Sequence, residues 1–298
     1  MTRILLLIPT ASYRATDFMK AASRVGLEIV VGSDEGQILA DLFPGRSITA
    51  SFARPAEGAQ EIAKFADSYP LDSIVAVDDT GTVLAARAAD LLRLPHNAVG
   101  GVEATRNKAL LRQRLSERGL PSPEFHVCSL DDDVAAIARS VRYPCVIKPL
   151  SLSGSRGVIR ADDAVSFAEA VGRLRGILER PEVAEECGPT AREYLVEGYI
   201  PGDEVALEGL LTGGALHVLA LFDKPDPLVG PFFEETIYVT PSGLPQARQR
   251  EIARTAAQAA SALGIVDGPI HAEFRLNSEG CWPIDIAARS IGGLCSRT

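Results

Sequence analysis

Lys148 closes an apolar run, Tyr143-Pro144-Cys145-Val146-Ile147-Lys148-Pro149, and a loop of small residues follows, Ser151-Leu152-Ser153-Gly154-Ser155-Arg156-Gly157-Val158. A lysine fixed at a strand end beside Ser153, Gly154, Ser155, Gly157 and Val158 sets an ammonium next to backbone N–H groups that can approach a polyphosphate closely. Because the lysine precedes the glycines, this is not a Walker A loop. Taken alone, Lys148 reads sooner as an ion pair at a strand end, and a Gly/Ser loop as a plain hairpin; the two together shift the balance towards a phosphate site. Lys108, in Arg106-Asn107-Lys108, stands at a helix start, where a solvated lysine is the bland alternative. Glu197 ends another apolar run, and Glu204 follows it across a Pro-Gly turn. A carboxylate there can accept both ribose hydroxyls while the intervening backbone pairs with an adenine edge; the alternative is two surface acids flanking a turn.

Far downstream, His271-Ala272-Glu273 and Asp285 lie on two expected strands joined by a turn near Asn277–Gly280. Strand alternation sends His271, Glu273 and Arg275 to one face, and antiparallel pairing makes Glu273 and Asp285 cross-strand neighbours. Two opposed carboxylates repel unless a cation lies between them, and hard oxygen donors suit Mg²⁺ bridging phosphates. The competing reading pairs them with Arg275 and Arg289, and leaves His271 as a satisfied core histidine. Arg289 precedes Ser290-Ile291-Gly292-Gly293, where glycines again let backbone reach an anion. The ingredients are a nucleotide, a divalent ion and a reactive oxyanion.

The elements that position these residues can be read along the chain. Ile4–Ile8, Glu28–Val31 and Ser73–Val77 read as buried strands alternating with helices Thr16–Val25, Pro55–Tyr69 and Thr82–Leu92, which implies a parallel sheet covered on both faces. The first turn, Pro9-Thr10-Ala11-Ser12-Tyr13, has no GxGxxG, so a dinucleotide site is not expected there. Pro95–Thr105 reads as a connector and Arg106–Arg118 as a helix. A second unit has strands Phe125–Cys128, Cys145–Lys148, Val158–Arg160 and Glu193–Val196, helices Asp131–Ser140 and Ala164–Leu178, and an acidic loop Pro181–Ala191. Thr212-Gly213-Gly214 joins strands Glu204–Leu211 and Ala215–Phe222 as a hairpin. Lys224–Phe233 reads as an ordered loop over a site. Helix Leu244–Leu263 precedes strands His271–Leu276 and Trp282–Ile286.

The 298 residues suffice for two or three modules, and 46% hydrophobic with 23% charged residues is ordinary for a globular protein. A net charge of −9 argues against nucleic acid as the main partner. Five cysteines without metal spacing read as reduced thiols in a cytoplasmic protein. The apolar start is too short for a signal peptide, and no stretch approaches a membrane span.

In order and spacing, these blocks resemble the ATP-grasp superfamily, and within it the carboxylate–amine ligases. The blocks are Asn107-Lys108, Cys145–Pro149, Ser153–Val158, Glu197-Gly198-Tyr199-Ile200-Pro201-Gly202-Asp203-Glu204, His271–Arg275 and Asp285–Gly293. The resemblance implies a Rossmann-like domain at 1–97, a lid subdomain with a connecting helix at 98–200, and a C-terminal α+β subdomain with the metal site at 201–298. It implies ATP and Mg²⁺, with Mn²⁺ as a substitute. Lys108 and Lys148 would contact phosphates under the 151–158 loop, and Glu197, Tyr199 and Ile200 would form the adenine hinge. Glu204 would hold the ribose, and Glu273 and Asp285 the metal. Arg289, with Lys148 and His271, would serve catalysis, and Gly292 and Gly293 the acceptor carboxylate. Asp at 285, where Glu is usual, and Ala at 287 depart from the family pattern. The implied reaction joins a small carboxylic acid to an amine through an acyl phosphate. The alternatives are a nucleotide-binding homologue without ligase activity and a kinase-like phosphotransferase. A homodimer fits the family, as does roughly one further small module beyond Thr298.

Overall fold

In a computed structural model, describing residues 2–36, 44–293 and 295, three four-stranded sheets face a common cleft. The expected continuation beyond Thr298 lies outside the described residues. The first sheet is parallel, in the order β3-β2-β1-β4, with β1 at Arg3–Leu7, β2 at Glu28–Ser33, β3 at Ser47–Thr49 and β4 at Ser73–Ala76. Alternation along β1 decides its two faces. Leu5 and Leu7 pack under α2 (Pro55–Ser68) and α3 (Asp79–Leu91), whereas Leu6 and Ile8 pack with Phe18 of α1 (Ala15–Arg24). The chain runs outward from β1 through β2 to β3 and then returns to lay β4 on the other side of β1, so the switch point and its crevice lie at the carboxyl ends of β1 and β4.

The second sheet is antiparallel, in the order β5-β8-β6-β7, from Phe125–Ser129, Glu193–Gly198, Cys145–Pro149 and Ile159–Ala161. The helix α7 (Ala164–Leu178) covers it with Phe167, Val171, Leu174 and Leu178, and α6 (Val134–Ser140) packs beside it. A capping box of Asp163 and Ser166 starts α7.

The third sheet is antiparallel, in the order β10-β9-β11-β12, from Ala215–Lys224, Asp203–Thr212, Gly268–Asn277 and Gly280–Ala287. Gly213 and Gly214, both at positive φ, make the tight hairpin turn between β9 and β10. The long helix α9 (Gln246–Leu263) covers this sheet and ends at Gly264 in the left-handed conformation.

Two segments depart from expectation. The connector at Pro95–Thr105 contains the helix α4 (Val99–Thr105). Gly100 and Gly101 look like breakers, but a Cβ on Gly101 would sit 1.6 Å from the Leu263 carbonyl oxygen, so the glycine is there for close packing on α9. The loop at Pro181–Ala191 is the helix α8 (Pro181–Cys187) plus a 3-10 turn; Pro181 opens it, and Val183 and Cys187, one turn apart, are buried together. Packing also groups α4 and α5 (Lys108–Glu117) with the third sheet rather than the second, through Val102, Leu111, Leu115 and α9.

Candidate active site

The three sheets enclose a cleft of about 670 Å³. It is lined by Lys108, Lys148, Ser153, Gly154, Ser155, Val158, Glu197, Tyr199, Ile200, Glu204, His271, Glu273, Asp285, Arg289, Gly292 and Gly293. Gly157 is the exception among the residues singled out from sequence. A Cβ there would meet Leu174 at 2.8 Å and Pro149 at 3.4 Å, so it seats the loop on the core of the second sheet and does not face the cleft.

Pairing of β6 with β8 sets Lys148 on the same sheet face as Glu197, and Lys148 Nζ lies 2.5 Å from Glu197 Oε1. Both side chains are buried. Glu197 also accepts from Arg112 of α5, at 2.8 Å from Nε and 3.2 Å from Nη2, while Arg112 donates onward to the carbonyls of Pro283 and Ile284. Burial pushes the Glu197 carboxyl up, but the Arg112 and Lys148 charges outweigh it and hold it at about 2. Burial, only partly countered by Glu197, brings the Lys148 ammonium down to about 8. At neutral pH this is one carboxylate between two cations, so the ion pair expected of a lysine at a strand end is present. Lys108 Nζ donates to the Leu152 carbonyl at 2.5 Å and ties α5 to the small-residue loop. Within that loop Gly154, Ser155 and Gly157 all have positive φ, and Val158 N–H closes a turn onto the Ser155 carbonyl at 3.1 Å.

At the hinge after β8, Arg275 organises the wall. It donates to the Ile200 carbonyl at 3.1 Å, the Tyr199 hydroxyl at 3.0 Å and Glu204 Oε2 at 3.0 Å, and its guanidinium stands 5.2 Å from the Tyr199 ring centre. Glu204 Oε1 accepts from Lys224 at 2.8 Å, while Oε2 faces both Nε and Nη2 of Arg275 at 3.0 Å, so Oε1 keeps the more accepting capacity.

Lys224, the last residue of β10, is the principal residue that sequence reading missed at this site. Its ammonium lies 2.8 Å from Glu204 and 2.9 Å from Glu273, also contacts Glu235, and its side chain is 2% exposed. Oxygens of Glu204, Glu235 and Glu273 lie within 4.8 Å of one another around it. Burial lowers its pKa, but Glu273, Glu204 and Glu235 together drive it far above the usual lysine range. Burial raises Glu273, yet Lys224 and His271 hold it well below the usual carboxylate range.

Glu273 and Asp285 are register partners on β11 and β12, as the turn predicted. Asp285 lines the cleft and takes part in no ion pair among the described residues. This all-oxygen pair, with one carboxylate unclaimed, fits a hard divalent cation. His271 Nδ1 lies 2.6 Å from Glu208 and Nε2 3.4 Å from Glu273. Burial opposes its charge, but the two carboxylates raise it to about 9, so it is an imidazolium at neutral pH and unsuited to act as a base. The other Glu208 oxygen accepts from Ile291 N–H at 2.9 Å, which makes His271 a strut between Glu273 and the 289–293 segment. Arg289 sits 2.8 Å from Asp79, and Gly293 N–H donates to the Tyr13 hydroxyl at 2.7 Å.

A family model described as the ATP-grasp domain matches residues 141–298, and one described as the ATP-grasp N-terminal domain matches residues 19–96. The chain is 27% identical over 233 residues to alanine–anticapsin ligase of Bacillus subtilis (strain 168), covering 74% of this chain and 48% of that protein. It is 27% identical over 228 residues to dapdiamide A synthase of Enterobacter agglomerans, covering 76% of this chain and 52% of that one. The crystal structure of an L-amino acid ligase from Bacillus licheniformis superposes with a TM-score of 0.76 at 27% identity, covering 98% of this chain and 68% of that chain. The chain spans about half the length of the curated relatives it matches. On the strength of the family match, the chain belongs to the ATP-grasp family and is similar, within it, to the carboxylate–amine ligases.

Proposed function

We propose that this chain carries the nucleotide site of an ATP-dependent, ADP-forming ligase that joins a small carboxylic acid, such as an amino acid, to an amine. One observation carries the reading: Lys108, Lys148, Glu273, Asp285 and Arg289, scattered through the sequence, line one cleft. In this reading an acid's carboxylate oxygen attacks the γ-phosphorus of ATP. The bond to the β–γ bridging oxygen breaks and ADP leaves, giving an acyl phosphate. The amine nitrogen then attacks the acyl carbon, the carbon–oxygen bond to phosphate breaks, and an amide, phosphate and a proton result.

The protein's part is positioning and charge neutralisation. Lys148, braced by Glu197 and Arg112, and Lys108, anchored to the loop backbone, hold phosphate oxygens. Ser153, Gly154, Ser155 and Val158 cover them and exclude water, with Gly157 as the loop's seat. Tyr199 and Ile200 flank the base, and Glu204 accepts from the ribose. Arg289 neutralises charge on the transferring phosphoryl group, and Gly292 and Gly293 offer backbone to the acceptor carboxylate. Glu273 and Asp285 would hold Mg²⁺, for which Mn²⁺ could substitute, and the metal would supply charge neutralisation of the phosphates. His271, as an imidazolium, fixes Glu273 and does not accept a proton.

The same reading divides the chain into a Rossmann-like unit at 1–97, a lid together with its connecting helix at 98–200, the connecting helix packing on the third sheet, and a metal-bearing unit at 201–298. It also proposes a cytoplasmic protein able to form a homodimer, with neither nucleic acid nor membrane as partner. No described helix is long and apolar enough to cross a membrane. A homologue without ligase activity gains no support from relatives that carry ligase or synthase names. The test is an ADP-release screen of amino-acid pairs with Mg²⁺ and mass spectrometry of products. Lys148→Ala is expected to weaken ATP binding, and Arg289→Ala to lower turnover more than affinity. Unchanged rates in both variants refute the assignments.

A further inference from the structure

Arg289 follows β12 and belongs to the unit of the third sheet, yet its guanidinium is held from the first. Its Nη2 lies 2.8 Å from Asp79 Oδ2, and Asp79 Oδ1 lies 3.4 Å from Arg106 Nη1. The side chains of Arg289, Asp79 and Arg106 are only 15%, 16% and 21% exposed. Asp79 opens α3 at the carboxyl end of β4, beside the crevice of the parallel sheet. Burial pushes its carboxyl up, but Arg106 and Arg289 hold it below the usual range, so it is ionised. The trio carries a net charge of one plus, and Asp285 and Glu273, on the same cleft, also act on Arg289.

The same unit grips the rest of the segment. Arg14 donates to Ser290 Oγ at 2.8 Å, to the Ser290 carbonyl at 3.3 Å and to the Ile291 carbonyl, and Tyr13 accepts from Gly293 N–H at 2.7 Å. An arginine beyond a strand end has rotamer entropy to lose when it meets an anion. A guanidinium already fixed by a half-buried carboxylate and by the Ser290 carbonyl, 3.0 Å from Nη1, has lost it in advance.

We propose that Asp79 is a positioning residue for phosphoryl transfer: from the N-terminal unit it fixes where the Arg289 guanidinium meets the phosphoryl group, which makes that unit part of the catalytic machinery. This rests on the ligase reading, with Arg289 as the neutralising cation. Asp79 itself touches no reacting atom.

A double-mutant cycle on amine-dependent ADP release tests it, with Asp79→Asn, Arg289→Ala and both together, plus Asp79→Glu. Asp79→Asn is expected to lower kcat about tenfold or more while the KM for ATP stays within about twofold. Adding it to Arg289→Ala is expected to change little, and Asp79→Glu to restore part of the loss. A loss that multiplies with that of Arg289→Ala, or a kcat equal to wild type, overturns the proposal. A second measurement needs no turnover: ¹⁵N NMR of arginine side chains, with the Arg289 signal assigned by its loss in Arg289→Lys. Rotation about Arg289 Nε–Cζ is expected to be hindered in the wild type and fast in Asp79→Asn. Equal rotation in both overturns the proposal even where no acid–amine pair turns over. A wild type that never releases ADP in response to an amine, with the NMR difference present, sinks the ligase reading and leaves the positioning contact standing.

Discussion

Removal of the Lys224 ammonium has a consequence whose size follows from the geometry. Three carboxylates with oxygens within 4.8 Å of one another share this one buried cation. Lys224→Met keeps most of the aliphatic stem and deletes the charge. Breaking a buried ion pair by removing one partner costs about 3–5 kcal/mol. Burial and the charge of Glu273 already raise the Glu235 carboxyl, so its protonation recovers part of that cost and the lower end, about 3 kcal/mol, applies. At about 2–4 °C per kcal/mol for a unit of this size, melting should fall by about 6–12 °C in EDTA. If these oxygens accept a hard cation once the ammonium is gone, Mg²⁺ at about ten times its Kd returns about 1.4 kcal/mol to the variant. Scanning calorimetry of wild type and variant, each in EDTA and in millimolar MgCl₂, reads both effects. A variant that melts with the wild type in EDTA, or a Mg²⁺ shift equal in the two proteins, refutes the reasoning.

Three further outcomes follow from the same site. Since Lys148 loses its proton near pH 8 in the free protein, ATP affinity measured by calorimetry should weaken as pH rises through 8, with a slope absent from Lys148→Ala; parallel profiles would contradict its phosphate role. His271 is raised from 6.5 to about 9, so its stabilisation is full below pH 6.5 and lost as pH climbs through 9. Relative to His271→Gln, the wild type should therefore lose stability over that window in denaturant titrations, and a constant difference would count against the strut. The loop at 151–158 should gain hydrogen-exchange protection when nucleotide is added, and equal protection in both states would end its role as a cover.

Much of the site was legible because strand periodicity is strict. An alternation of two set His271, Glu273 and Arg275 on one face, and a short turn at Asn277–Gly280 fixed Glu273 opposite Asp285, as found. The apolar strand ending on Lys148 was equally plain. What escaped were the partners brought in from distant elements. Arg112 sits between Leu111 and Leu115 on α5, and a fully buried arginine in an apolar stripe signals a buried acid elsewhere, but nothing local names Glu197. Lys224 reads as the start of a Pro/Gly loop because its three acids come from β9, β11 and the stretch before Tyr238. Asp79 opens α3 and Arg14 precedes α1, both in the unit of the parallel sheet, which pattern alone placed apart from the chemistry. Helices α4 and α8 were obscured by glycines and by shortness, and each exists because it packs, Gly101 on Leu263 and Val183 with Cys187.

The most direct measurement follows an oxygen atom. An amino acid labelled with ¹⁸O in its carboxylate is incubated with the protein, ATP, Mg²⁺ and an acceptor amine, and the released phosphate is examined by ³¹P NMR for the isotope shift. Transfer through an acyl phosphate puts one labelled oxygen into each phosphate, matched by one amide formed. Unlabelled phosphate alongside amide product, or ATP consumed with no amide and no label, would contradict a ligase acting through that intermediate.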